Sequence, residues 1–265
     1  EKEPIPGITQ EYEYAKIFVP AFSVDEVNKL AKKWITNDNR VVVITAPEKE
    51  TVELPETEEV KALFGMVEGM TLEPYQEELS ATALMEDIPE PAAGISEKKR
   101  ESLGVTELTL ANGLKVVLKP TEFKNDEIIM RAFSPGGTSI YPDEDYLDAD
   151  YAASIINESG VKDFSVTDLQ KLLSGKSASA APYISSTREG FRGNSTPKDL
   201  ESMLQLVYLY FMQPRKDKES FLSFVNKNKA LYQNLMSNPN YFYSDKVSRI
   251  LSQNHLRGGG FPEAE

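Results

Sequence analysis

Residues 108–160 read LTLANGLKVVLKPTEFKNDEIIMRAFSPGGTSIYPDEDYLDADYAASIINESG, and this stretch decides the fold. Leu108 and Leu110 alternate with small or polar residues, and Asn112-Gly113 is the dipeptide that most readily takes positive φ in a tight hairpin. Val116, Val117 and Leu118 form a β-branched apolar run closed by Pro120. Ile128, Ile129, Met130, Ala132 and Phe133 form the next strand, which stops at Pro135-Gly136-Gly137. After an acidic loop from Asp143 to Asp150, Tyr151, Ala152, Ile155 and Ile156 fall on helical spacing. The order strand, turn, strand, strand, Gly-rich turn, helix predicts an α+β domain, with an antiparallel-rich sheet and helices packed on one face.

Downstream the alternation of element types continues. Ser165 with Asp168 predicts a capped helix whose Val166, Leu169, Leu172 and Leu173 face inward. Residues 177–195 predict two strands. Thr196-Pro197-Lys198-Asp199 marks a helix start, and Leu200, Leu204, Val207, Leu209, Phe211 and Met212 give that helix a broad apolar face ended by Pro214. A further helix from Lys218 to about Met236 carries Phe221, Phe224, Val225, Leu231 and Leu235; Asn238-Pro239 breaks it, and a last helix covers 242–253.

Upstream the composition changes. Residues 13–21, EYAKIFVPA, read as a strand, and Ser23 with Glu26 predicts a capped helix burying Val24, Val27, Leu30, Ala31 and Trp34. Asn37-Asp38-Asn39 turns the chain into RVVVITAP, an unbroken apolar run expected to be a strand that packs on its own chain or on a second copy. Residues 47–104 are rich in proline and glutamate, with short apolar clusters such as Val60, Leu63, Phe64 and Val67. They read as an acidic connector with one or two short helices. Three segments follow: 1–46, 47–104 and 105–265.

Composition narrows the function classes. The 265 residues carry 29 basic and 42 acidic side chains, a net charge of −13, which disfavours nucleic acid and anionic membranes as partners. Cysteine is absent, so disulfides and thiolate metal sites are excluded. No run approaches the ~20 apolar residues of a membrane span. The opening EKEPIPGITQ lacks the basic start and apolar core of a signal peptide.

The series L-x-L-x-N-G-L-x-V-V-L-x-P-T-x-F-K-x-D-E-I, then S-P-G-G-T-S and a helix, resembles the pitrilysin/insulinase family of zinc metallopeptidases. It resembles most the second, non-catalytic half of the large bacterial members. The likeness continues through SGVKDFSVTDLQKLLSGK (159–176), EGFRGNSTPKDLE (189–201) and FMQPRKDKESF (211–221), covering 105–257 well and 1–104 more loosely. The resemblance implies that 1–46 is the C-terminal remnant of a preceding peptidase-like domain. It further implies that 47–104 is the connector of a clamshell, and that 105–265 is a peptidase-like domain truncated at its C-terminus. Residue 1 would then lie in the middle of a longer protein, so that a missing signal peptide says nothing about compartment. The bacterial periplasm is the compartment that the resemblance favours.

Chemistry in that family needs H-x-x-E-H on one helix, two imidazoles on zinc and a glutamate acting as base, with a carboxylate from a second helix. The corresponding helix here, DADYAASIINE, offers Tyr151, Ser154 and Ile155 instead, and the single histidine of the chain is His255. On the second helix, the matching positions hold Asn234 and Lys227; lysine repels a divalent cation and an amide is a poor zinc ligand. No catalytic or metal-ligating residue is therefore assigned in this chain, and the residues that would bind substrate stay unknown. His255, beside arginine and glycine, reads as a surface residue. The acids Asp143, Glu144, Asp145, Asp148 and Asp150 do not have EF-hand spacing and read as a solvated face. Gly136-Gly137 lacks the Lys-Ser/Thr of a phosphate loop, and Ser154, Ser159 and Ser165 lack an activating histidine.

What the resemblance implies for function is a segment of a zinc-dependent endopeptidase, forming a non-catalytic wall of the substrate chamber and binding unfolded peptide. Zinc and base would come from the N-terminal catalytic half of the same polypeptide, the chain alone being inactive. The alternative is a catalytically dead structural or assembly subunit, which could associate as a homo-oligomer.

Overall fold

The computed structural model describes residues 5–36, 38–46, 52–71, 73, 81–91 and 94–261. They divide into two units, Glu1–Tyr75 and Gln76–Glu265.

The first unit holds three helices, α1 Ile8–Phe18, α2 Val24–Trp34 and α3 Thr57–Glu68. The strand expected over 13–21 is instead the end of α1 followed by a 3-10 turn, Val19–Ala21. Local pairing explains the difference. The Gly7 carbonyl accepts from Gln10 and Glu11 N–H, Lys16 pairs with Glu13 at 3.0 Å, and Tyr14 meets Phe18 one turn on. Helix α2 has the expected capping box: Ser23 N–H donates to Glu26 Oε2 at 2.9 Å and Glu26 N–H donates to Ser23 Oγ at 3.3 Å. Its apolar face is not buried, however; Val24 and Trp34 are 76% and 74% exposed. The strand expected over 41–45 is also absent, and Val41, Val42, Val43 and Ile44 are all exposed. A strand needs a partner for its backbone, and the described residues of this unit supply three helices and no strand. The turn residue Asn37 and residues 47–51 lie outside the described residues.

The second unit is α+β with wholly antiparallel pairing. Its described residues form not one sheet but two of three strands. The first orders β1 Ser96–Arg100, β2 Val105–Thr109 and β3 Lys115–Leu118; the second orders β4 Ile128–Pro135, β6 Arg188–Ser195 and β5 Ala178–Ile184 as β4-β6-β5. Strand β1, SEKKR, escapes a reading by apolar alternation because it is all polar. It forms through its ladder to β2 and the Arg100–Glu107 ion pair at 3.1 Å, and an edge strand tolerates such charges. The Asn112-Gly113 turn closes β2 to β3 as expected: Gly113 takes φ 86° and Asn112 Oδ1 accepts from Leu114 N–H.

The second sheet is covered on one face. Helices α4 Tyr146–Ser159 and α6 Leu200–Met212 pack on β5, and α6 also reaches β6. Helix α5 Val166–Leu172 has its Ser165/Asp168 capping box, α7 spans Lys218–Ser237, and α8 spans Pro239–Leu251 after the break at Asn238. Helix α6 begins later than its sequence suggests: Asp199, not Thr196, is the N-cap, while Thr196 Oγ1 and Asp199 Oδ2 close a preceding turn at 2.9 Å. The core joins Val161, Phe164, Leu169, Leu206 and Leu209 with Leu84, which is 2% exposed. Leu84 belongs to the stretch read as connector, so part of that stretch is built into the domain. Each such leucine contributes about 2 kcal/mol through burial.

Candidate functional site

Helices α4 and α7 are the pair on which the expected chemistry would rest, and they do pack together. Their contact is phenolic and aromatic. The Tyr151 and Tyr232 hydroxyls share a hydrogen bond of 2.5 Å, and the Phe224 ring meets Tyr151 edge-on at 5.9 Å. Burial pushes the Tyr151 hydroxyl well above the ordinary phenol range, and the bond to Tyr232 adds to the effect, so the phenol stays protonated. Further along, Lys227 Nζ donates to Glu158 Oε1 at 3.3 Å, bridging the same two helices. Asn234 and Ser154 are exposed, and Ile155 is half-buried.

The two helices that the resemblance singled out do meet, but the resemblance did not point to the main meeting residues on α7. Those are Phe224 and Tyr232, with Lys227 at the rim. The signal that could have found Tyr232 is its place eight residues after Phe224, close to two turns on one helical face.

This donor set does not fit zinc. A phenol held protonated, a lysine and an aliphatic side chain offer no imidazole or carboxylate, and the Glu158 carboxylate at the same contact is paired with Lys227. Among the described residues no group of three or more His, Asp or Glu side chains is placed to hold a metal ion.

Several other residues singled out by sequence have structural partners. Asp143 of the acidic loop accepts from Arg257 Nε at 2.7 Å. The same guanidinium donates to the carbonyls of Thr138 and Tyr141 and lies over the Tyr146 ring. Arg257 thus ties the 252–261 segment to the entrance of α4, a role invisible in the sequence because its partners lie more than 100 positions away. His255 is exposed, and its Nδ1 accepts from Arg257 N–H at 3.2 Å. The segment continues to Phe261, whose ring rests on Tyr232 and Tyr241 and whose N–H donates to buried Asp245 at 2.7 Å.

Around Gly136-Gly137 three backbone donors are already used: Gly136, Thr138 and Ser139 N–H donate to the carbonyls of Thr187, Ser185 and Ser186. No N–H cradle remains there for a phosphate. A Cβ on Gly137, at φ 62°, would stand 2.1 Å from the Ser185 carbonyl oxygen, so close docking on the β5–β6 turn requires glycine. Ser159 Oγ donates to the Ile155 carbonyl and Ser165 serves as a cap. Among the described residues no helix is long and apolar enough to cross a membrane.

The chain is similar to part of several known proteases. No family model matches it. It is 27% identical over 210 residues to a zinc protease PQQL-like protein of Arabidopsis thaliana, and 24% identical over 212 residues to the probable zinc protease PqqL of Haemophilus influenzae. These matches cover 79% and 78% of the chain but only 20% and 22% of the relatives; the chain spans about a fifth of their length. Among solved structures, the ferredoxin protease FusC E83A mutant in complex with Arabidopsis ferredoxin aligns with a TM-score of 0.60 at 17% identity, over 99% of this chain and 29% of that one. The periplasmic protease PqqL from Escherichia coli aligns with a TM-score of 0.55 at 18% identity, over 74% of this chain and 22% of that one. The shared fold is α+β, and the sequence similarity is to proteins named as zinc proteases.

Proposed function

We propose that this chain is a segment of a pitrilysin-type zinc-dependent endopeptidase, and that it forms a non-catalytic wall of the substrate chamber and binds unfolded peptide there. One observation carries the reading. The helix pair α4–α7, where such a peptidase would set its metal ligands, carries Tyr151, Tyr232 and Phe224 in a chain otherwise related to zinc proteases. A hydrogen-bonded phenol pair ties two helices together but neither activates water nor polarises a carbonyl as a Lewis acid does. In this reading zinc and the general base belong to an N-terminal half of the same polypeptide, and the whole protein works in the bacterial periplasm.

Peptide capture would use backbone pairing. Strand β4 pairs with β6 on one side, and its other edge has no ladder partner among the described residues. An extended peptide can add there as a further strand. The competing reading, a structural or assembly subunit that binds no substrate, makes the opposite prediction for peptide binding.

The test is zinc analysis after dialysis together with cleavage of a quenched-fluorescent peptide. The chain alone is expected to hold no stoichiometric zinc and to cleave nothing. Activity is expected when a half carrying H-x-x-E-H is supplied. Chelator-sensitive cleavage by the chain alone overturns the proposal, and failure of the two halves to associate or act together favours the structural subunit.

A further inference from the structure

Among the described residues one face of the β4-β6-β5 sheet is left uncovered, and its composition is unusual. Cross-strand registers put Ile129, Asn194 and Ser179 in one row, Arg131, Arg192 and Ala181 in the next, and Phe133, Gly190 and Tyr183 in the third; Arg188 follows opposite Pro135. Burial confirms the sidedness. Phe191, Gly193 and Ser195 are buried on the helix side, whereas Arg131, Arg188 and Arg192 are exposed and Ile129 and Phe133 are 61% and 63% exposed. Three arginines thus share one face of one small sheet in a chain of net charge −13.

Charge repulsion works against this arrangement. Arg131 and Arg192 stand directly opposite each other, and like charges in that position destabilise a ladder. Among the described residues none of the three has an acidic partner within ion-pair distance. Neighbouring acids are otherwise engaged: Glu127 pairs with Lys124 and accepts from Asn194, and Glu189 falls on the opposite face by alternation. Two of the guanidinium groups are held in place by rings. Arg188 Cζ lies 5.1 Å from the Phe133 centroid and Arg192 Cζ lies 4.8 Å from that of Tyr183. A guanidinium stacked on a ring keeps its in-plane N–H donors available, and that planar fork fits a carboxylate in bidentate fashion.

We infer that this face is a docking surface for a carboxylate-rich polypeptide segment, whose Asp and Glu side chains meet Arg131, Arg188 and Arg192 while apolar residues between them rest on Ile129 and Phe133. Charge complementarity selects this occupant. A polyphosphate chain would also meet the arginines, but the negative field of the whole chain opposes a polyanion of high linear charge density far more than a short acidic peptide.

The probe is a fluorescein-labelled ten-residue peptide alternating glutamate with leucine and glycine, titrated with the chain by anisotropy at low and moderate salt. Parallel arms use the Gln-for-Glu peptide and a single-stranded oligonucleotide. Saturable binding of the acidic peptide alone, weakening with salt, is expected. The triple variant R131Q/R188Q/R192Q should lose about tenfold or more in affinity, with circular dichroism unchanged. The triple lysine variant keeps charge and fold but loses the stacked fork, and should bind several-fold more weakly than the parent. No binding, equal binding of the Gln peptide, tighter binding of the oligonucleotide, or affinity unchanged in both triple variants would each overturn the inference. Self-association that disappears in the triple variant, with no binding of the free peptide, would overturn it in favour of a second copy as occupant.

Discussion

Replacing Leu209 by alanine tests the packing of the second unit most directly, because the same helix holds its own control. Leu209 and Leu204 look alike in the sequence, both on the broad apolar face of α6. In the structure Leu209 is 1% exposed and packs among Leu84, Val161, Phe164, Leu169 and Leu206, which come from separate stretches of the chain. Leu204 is 50% exposed. A buried Leu→Ala change costs about 2–5 kcal/mol, the upper part applying where the walls cannot close in. Walls drawn from distant segments that are tied by the Val161–Phe164 and Val161–Pro214 bridges do not close in easily. A loss of about 3–4 kcal/mol is expected, and at about 2–4 °C per kcal/mol for a unit of this size Tm falls by roughly 6–16 °C. Leu204→Ala removes exposed surface at a site where alanine is a good helix former, and Tm should move by no more than about 2 °C. The assay is thermal unfolding by far-UV circular dichroism at a fixed scan rate. Equal shifts for the two variants, or a larger one for Leu204→Ala, would refute the assignment of the core face.

Three more outcomes follow from individual sites. Gly137→Ala places a Cβ 2.1 Å from the Ser185 carbonyl at φ 62°, and should cost about 2–4 kcal/mol in urea unfolding; a change below 0.5 kcal/mol would mean the β5–β6 turn does not sit there. Burial raises the Asp245 carboxyl, but Phe261 N–H and Arg249 outweigh it and hold it below the ordinary value of 3.8. A depressed folded pKa gives stability that is full above that ordinary value and is lost as pH falls through the lower folded one. The Tm advantage of the parent over Asp245→Asn should therefore be constant from pH 7 to 5 and shrink below pH 4, and an advantage that grows on acidification is inconsistent with it. Ser195 Oγ is buried with no hydrogen-bond partner among the described residues, so Ser195→Ala should leave Tm unchanged or raise it; a fall of several degrees would mean that the hydroxyl is bonded in solution.

The local signals in this sequence were decisive wherever the physics is local. Asn112-Gly113 fixed the hairpin, Ser165 with Asp168 and Ser23 with Glu26 fixed two helix starts, and Asn238-Pro239 fixed the break between α7 and α8. A chain with one histidine and no cysteine also excluded the H-x-x-E-H chemistry before any coordinates. Strand and burial assignments in the first unit failed for the converse reason. The run at 41–45 is apolar enough for a strand and α2 is amphipathic enough for a core, but whether a strand pairs or a face is covered depends on partners that sequence periodicity does not contain. Tertiary structure alone could decide that Leu84 leaves an acidic stretch to enter the core, and that SEKKR becomes a strand. It alone could also bring Arg131, Arg188 and Arg192 onto one face, because register across strands, rather than order along the chain, sets which side chains are neighbours.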